Sequence, residues 1–209
     1  MRFSTLLASF TTICAVSARP TSIFLPVGNL PSQPTTGGLV LKDLGALDSA
    51  ITALSVTVQR IIDFKKTNVG NGASILKDVL EKTIAYQIAT QTARLNAQGI
   101  SGTLSSADST AIVAKLKNDI APHLKTATDL LTSAKNAGIL GINTSLPGFL
   151  VSILSPLGLI DYFDLLKTDT AGFSDALLPY IDPSVQPDAT SITSIINNLL
   201  NVTYSVYTT

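Results

Sequence analysis

Apolar side chains recur along this chain at helical rather than strand spacing. Between Asp43 and Asp63, Leu44, Leu47, Ile51, Leu54, Val58 and Ile61 step by 3, 4, 3, 4 and 3 residues. That spacing sets all six on one stripe of an α-helix. Ser49, Thr52, Ser55, Thr57 and Gln59 fall on the opposite face, which carries hardly a charge. The pattern predicts a helix from about Leu41 to Phe64, with Asp43 near the positive end of its dipole. The turn-forming run Asn68-Val69-Gly70-Asn71-Gly72 ends it.

A second helix is expected from about Ala73 to Ala97. Its stripe is Leu76, Val79, Leu80, Thr83, Ile84, Gln87, Ile88, Gln91 and Leu95, more polar toward the far end. A third opens at Ser105-Ser106-Ala107-Asp108, where a serine followed three residues later by an acid resembles a capping box. Its stripe runs through Ile112, Val113, Leu116, Ile120, Leu124, Ala127, Leu130, Leu131 and Ala134. Pro122 interrupts its backbone bonding, and because the apolar period continues across it, a kink is expected there rather than two helices. A fourth helix is read from about Leu157 to Tyr180, with Gly172 and Thr168–Thr170 as points of interruption. After Asp182-Pro183 and Pro187-Asp188 comes a fifth, where Ile192, Ile195, Leu199, Val202 and Val206 step by 3, 4, 3 and 4. No segment alternates as a strand would. The fold class expected is all-α: an antiparallel bundle of four to five amphipathic helices with a kink near Pro122.

The ends of the chain read differently. Arg2, the apolar stretch Phe3 to Val16 and the small residues Val16-Ser17-Ala18 match a secretory signal over residues 1–18. The rival, a membrane anchor, needs about 20 apolar residues and finds too few. Residues 19–40, with Pro20, Pro26, Pro31, Pro34 and Gly37-Gly38, are expected to be an extended lead-in, and residues 41–209 the helical domain. No apolar tail suited to a GPI anchor follows Asn201. The expected location is therefore secreted, extracellular or in a cell wall, with no transmembrane anchor. Residues 136–160 hold no charged side chain, yet Gly141, Pro147, Gly148, Pro156 and Gly158 break the run too often for a membrane span. It is read either as a buried crossover or as an apolar lid or contact patch.

Composition narrows the partners. Formal charge is zero and only 13% of residues are charged, about half the usual share. Without a basic patch, nucleic acid is not an expected partner. The single cysteine, Cys14, lies in the signal-like segment, so no disulfide or thiolate metal site is expected beyond it. His123 is the only histidine and Glu81 the only glutamate. His123 is read as structural or half-exposed, and the Asp161/Asp164 pair as a solvated face. Ser74-Ile75-Leu76-Lys77 has the Ser-x-x-Lys spacing of penicillin-interacting enzymes but lacks their companion motifs, so Ser74 reads as a helix-start residue. No catalytic, metal or cofactor site is expected. Two sequons, Asn143-Thr144-Ser145 and Asn201-Val202-Thr203, make Asn143 and Asn201 candidate glycosylation sites.

Several segments together carry a resemblance. They are Asp43-Leu44-Gly45-Ala46-Leu47-Asp48-Ser49-Ala50-Ile51-Thr52-Ala53-Leu54, Leu104-Ser105-Ser106-Ala107-Asp108, the stretch Leu116 to Leu131 around Ala121-Pro122, and Phe173-Ser174-Asp175-Ala176-Leu177. In order and spacing, over roughly residues 40 to 207, they resemble the fungal hydrophobic surface-binding protein A family, also called cell wall galactomannoproteins. The resemblance implies an all-helical, secreted, wall-associated protein that adsorbs to hydrophobic surfaces, some members binding fatty acids or other lipids between helices. It carries over no ligand residue.

Two functions follow. In the first, the chain adsorbs to hydrophobic surfaces through its stripes. In the second, it carries a lipid such as a fatty acid in the apolar bundle core, with the head near Gln87, Gln91 or Tyr86. The residues expected to make the apolar contact, or to line a lipid, are Leu47, Ile51, Leu54, Val58, Leu80, Ile84, Ile88, Leu116, Ile120, Leu124, Phe149, Ile195 and Leu199. Cell-wall polysaccharide is a further expected partner, and a purely structural wall glycoprotein the third possibility.

Overall fold

The structure, a computed structural model, describes residues 35–67, 72–137 and 159–208. The signal-like segment, most of the lead-in, Phe149, Asn143 and nearly all of the charge-free stretch lie outside these residues. So do the side chains of Leu76, Ile160, Asp161 and Phe163.

Helix α1 spans Gly37–Thr67, α2 Gly72–Gln98, α3 Ser106–Lys115, α4 Ala121–Asn136, α5 Leu159–Leu177 and α6 Gln186–Thr208. A π-helical turn, Leu116–Ile120, joins α3 to α4 without a break, so the two form one long element and the bundle has five members among the described residues. Among the described residues the one departure toward sheet is an isolated parallel bridge between Thr35 and Ile100. No described helix is long and apolar enough to cross a membrane.

Pairs of side chains fix the helix directions. Arg60 meets Asp78 at 3.0 Å and Asn96 Nδ2 donates to Asp43 Oδ2 at 2.8 Å, so α1 and α2 run antiparallel. Ser109 Oγ accepts from the Asp182 amide, and Tyr207 Oη donates to the Leu131 carbonyl, so α6 runs parallel to the α3–α4 element. Direction alternates along the chain, while in space α1 packs on α2 and α4, α2 on α5, α5 on α6, and α6 on α4. The five members close a ring around a shared core.

The first stripe is as expected: Leu44, Leu47, Ile51, Leu54, Val58 and Ile61 are all buried, and Val40 and Ile62 extend it. Ser55 and Thr57, expected on the opposite face, are buried as well, their hydroxyls donating to the Ile51 and Ala53 carbonyls. The helix itself starts earlier than its pattern, at Gly37, because the Thr36 hydroxyl accepts from the Leu39 amide and caps the end. Gly37 is required there by close approach, since a Cβ would stand 2.4 Å from Asp108 at the start of α3. Asp43 accordingly sits in the second turn. It is buried, and its partner is Asn96 of α2 rather than the helix dipole.

The cap of α3 forms as its sequence indicates. Ser105 Oγ accepts from the Asp108 amide at 3.0 Å and donates to the Asp108 carboxylate at 2.8 Å. The distortion expected at Pro122 is the π turn just before it, where the Ala121 amide reaches back to the Leu116 carbonyl. Wider i→i+5 bonding frees the backbone opposite the proline. It also suits the buried series Ile112, Leu116, Ile120 and Leu124, whose steps of four outrun an ordinary helical turn. Helix α5 passes through Gly172 and Thr168–Thr170 without interruption, and a 3-10 turn, Leu178–Tyr180, follows it.

Two stripes are rotated from their expected phase. On α2 the buried residues are Ile75, Val79, Thr83, Tyr86, Gln87, Thr90, Ala93 and Ala97, of which Val79, Thr83 and Gln87 belong to the expected stripe. Leu80, Ile84 and Leu95 are half-buried, and Ile88 is 41% exposed. On α6 the buried line is Ala189, Ile192, Ile196, Leu200, Thr203 and Tyr207, whereas Ile195 and Val202 are 50% and 52% exposed. In both helices the buried face includes threonines and alanines, which pack closely between neighbours. Thr83, Thr90, Thr193 and Thr203 each donate to the carbonyl four residues back, so their hydroxyls enter the core satisfied.

Candidate functional site

The expected apolar residues divide by position. Leu47, Ile51, Leu54 and Val58 of α1 meet Leu116, Ile120 and Leu124 of the α3–α4 element in one hydrophobic core. Leu199 is partly buried and packs on this core from α6. Ile88 and Ile195 face outward and take no part in it.

The polar end of α2 leads elsewhere. Tyr86 and Gln87 are buried and Gln91 is half-buried. Burial pushes the Tyr86 phenol well above the usual tyrosine range, with Thr170 of α5 as its polar neighbour. One turn further, at the step from Gln87 and Gln91, stands Arg94. Its Nε lies 3.3 Å from Asp169 Oδ1, close enough for Coulombic attraction. The pair is not aligned for a hydrogen bond, and Arg94 Nε is buried with no acceptor. Burial pushes the Asp169 carboxyl up, and the Arg94 charge offsets part of that rise.

Arg94 forms one wall of an open cleft of about 580 Å³ between α2, α5 and α6. From α5 come Lys167, Thr168, Ala171, Gly172 and Asp175, spaced to share one helix face. From α6 come Asn197 and Asn201, one turn apart. The arginine side chain packs over Gly172 of α5, where a Cβ would stand 2.8 Å from Arg94 Cδ and make that flexible side chain shift. Lys167 pairs with Asp164 at 3.0 Å and lies 4.1 Å over the Tyr204 ring. Asn197 Oδ1 is buried and unpartnered. Of the cleft residues, Asn201, Gly172 and Thr168 stood out in the sequence, for other reasons. Arg94, Lys167 and Asn197 belong to three separate helices, and only the continuation of the Gln87–Gln91 face toward Arg94 hinted at them.

A second polar cluster lies across the bundle. Asp48 of α1 accepts from Lys115 Nζ at 3.0 Å and lies 2.6 Å from His123 Nδ1, and Lys115 also reaches Asp119 at 2.7 Å. His123 is half-exposed beside Pro122, and its partner is this single carboxylate. Lys77 of the Ser-x-x-Lys motif pairs with Glu81 at 3.5 Å. Among the described residues no group of three or more His, Cys, Asp or Glu side chains is placed to hold a metal ion.

No protein-family model matches the sequence, and no curated protein matches it. Two solved structures share its fold. The crystal structure of AFMP4P in complex with palmitic acid superposes with a TM-score of 0.63 at 17% identity, over 82% of this chain and 99% of that one. Ligand binding domain 2 of the Penicillium marneffei MP1 protein, complexed with multiple arachidonic acids, superposes with a TM-score of 0.53 at 13% identity, over 78% and 94% of the two chains.

Proposed function

We propose that this chain is a non-enzymatic lipid-binding protein that holds a fatty acid among its helices. The observation that carries the reading is the fold likeness, which spans nearly the whole of two chains solved with long-chain fatty acids. The core of α1 and α3–α4 is built largely from Leu, Ile and Val, the apolar chemistry that a fatty-acid chain requires. Secretion and a place in a cell wall are part of the same reading, and the signal-like residues 1–18 support them. Native mass spectrometry of delipidated protein mixed with palmitate tests it. The expected result is a retained adduct and a raised Tm, and a protein that keeps no adduct and shows no thermal shift overturns it.

One observation favours adsorption to hydrophobic surfaces as a second activity. Ile195, Leu199 and Val202 step by four and three along α6, with Ile195 and Val202 half-exposed. A ridge of this kind replaces contact with water by contact with an apolar solid without opening the core, at roughly 25 cal/mol per Å². Depletion from solution by hydrophobic beads measures it.

A further inference from the structure

Asn201 has two properties at once. It is exposed on α6 as the acceptor of a complete sequon, and it lines the cleft between α2, α5 and α6. The level at which it enters the cleft follows from one contact. Lys167 of α5 lies 4.1 Å over the Tyr204 ring of α6. The two helices run antiparallel, so one turn back from Tyr204 is level with one turn forward from Lys167. Asn201 therefore stands opposite the step from Thr168 to Ala171, and both of those residues line the cleft. The walls there are mixed: Ala171 is apolar, Thr168 carries a hydroxyl, and Asp175 one turn further carries a carboxylate. N-acetylglucosamine is mixed in the same way, with C–H groups and an acetyl methyl beside hydroxyls and an amide. The cleft of about 580 Å³ lies within the range of about 300–1,000 Å³ that small-molecule sites occupy. A sugar joined to Asn201 needs little affinity of its own, because the short tether holds it beside the cleft at high effective concentration. Thr203 of the sequon is buried, so the sugar is attached before α6 packs and is already present when the cleft forms.

We propose that this cleft is the seat of the first N-acetylglucosamine of a glycan on Asn201, packed against Thr168 and Ala171 of α5. The bond forms between Asn201 Nδ2 and C1 of the sugar. The diphosphate of a lipid-linked oligosaccharide donor leaves, and Nδ2 gives up one proton. The seated ring joins α6 to α5, while the outer sugars continue into solvent. The inference rests on passage through a secretory route and is independent of lipid binding.

The test uses the full chain from a high-mannose glycosylating host, with Asn143→Gln so that Asn201 carries the N-glycan. Nuclear Overhauser contacts are measured between the acetyl methyl of the first N-acetylglucosamine and the methyls of Ala171 and Thr168. Contacts to both are expected, and their loss in Ala171→Phe, which fills the cleft, supports the proposal. Endoglycosidase H is expected to cut the glycan core at least fivefold more slowly in the wild type than in that variant. If Ala171→Phe does not fold, Thr168→Phe blocks the cleft from an exposed position and carries both comparisons. A glycan that makes no contact with α5, contacts that persist in a folded variant, or equal cutting rates overturn the proposal. So does a product that carries no glycan mass at Asn201. Repeating the measurement with a host leader in place of residues 1–18 separates the two readings. If only the leader-swapped chain is exported and it shows the contacts, the secretion reading falls and this inference stands.

Discussion

His123 Nδ1 of α4 lies 2.6 Å from Asp48 Oδ1 of α1, tying the helix that follows the π turn to the first stripe of the core. The Asp48 carboxyl is pushed up by burial, but hydrogen bonds from His123 and Lys115 outweigh that and hold it below the usual carboxylate range. A carboxyl with a depressed folded pKa adds stability that is fully present above its unfolded pKa, near 4. The contribution is lost as pH falls below that value through the folded pKa. Asp48→Asn is therefore expected to cost about 1 kcal/mol at pH 7. It should also flatten the acid dependence of Tm below about pH 4. Equal acid slopes in the two proteins would show that Asp48 gains nothing from its partners.

Leu54 and Val56 are two residues apart on α1 with opposite fates: Leu54 is buried and Val56 is 57% exposed. Leu54→Ala is expected to cost about 2–5 kcal/mol through lost burial and the cavity it leaves. Val56→Ala should stay within about 0.5 kcal/mol. Urea denaturation of both variants measures the contrast, and comparable losses would put the stripe on the wrong face.

At Gly37 a Cβ would meet the Cβ and Cγ of Asp108, atoms close to the backbone that cannot swing aside. Gly37→Ala is expected to destabilise by about 1–3 kcal/mol, as overpacking does. It should also disturb the Ser105–Asp108 cap, visible as faster hydrogen exchange at the Asp108 amide.

Ile195→Ser with Val202→Ser removes the exposed ridge of α6 without touching the core. Stability should change by less than about 1 kcal/mol for the pair, while depletion onto hydrophobic beads falls severalfold. Undiminished depletion would assign adsorption to another part of the chain.

Asn201 is exposed on α6, and Thr203 of the same sequon is buried with its hydroxyl donating to the Leu199 carbonyl. Glycosylation there must therefore precede folding. Expression in a glycosylating host should give a heavier product, and Asn201→Gln should remove one glycan's mass. Identical masses for the two would rule out occupancy at Asn201.

The α1 stripe was legible because six large aliphatic residues at helical spacing leave one face able to be buried. The Ser105–Asp108 cap was legible for a similar reason, since its hydrogen bonds are local. The buried faces of α2 and α6 were not. There Ile88, Ile195 and Val202 outweighed Thr90 and Ala93 in any count of hydrophobicity, yet the smaller residues were buried, and Thr83 was buried as its stripe predicted. A threonine that satisfies its own hydroxyl on the preceding turn behaves as a small apolar residue, and its burial depends on how near the neighbouring helix comes.

The sequence by itself determined the helical class, the element order, the α3 cap and the distortion beside Pro122, because each rests on residues within a turn or two of one another. Only the tertiary structure decided which face of α2 and α6 turns inward, that Asp43 answers to Asn96, and that Arg94, Gly172 and Asn197 meet at one cleft. Those relationships join separate helices, and helix phase and close approach are set by packing partners that no local spacing encodes.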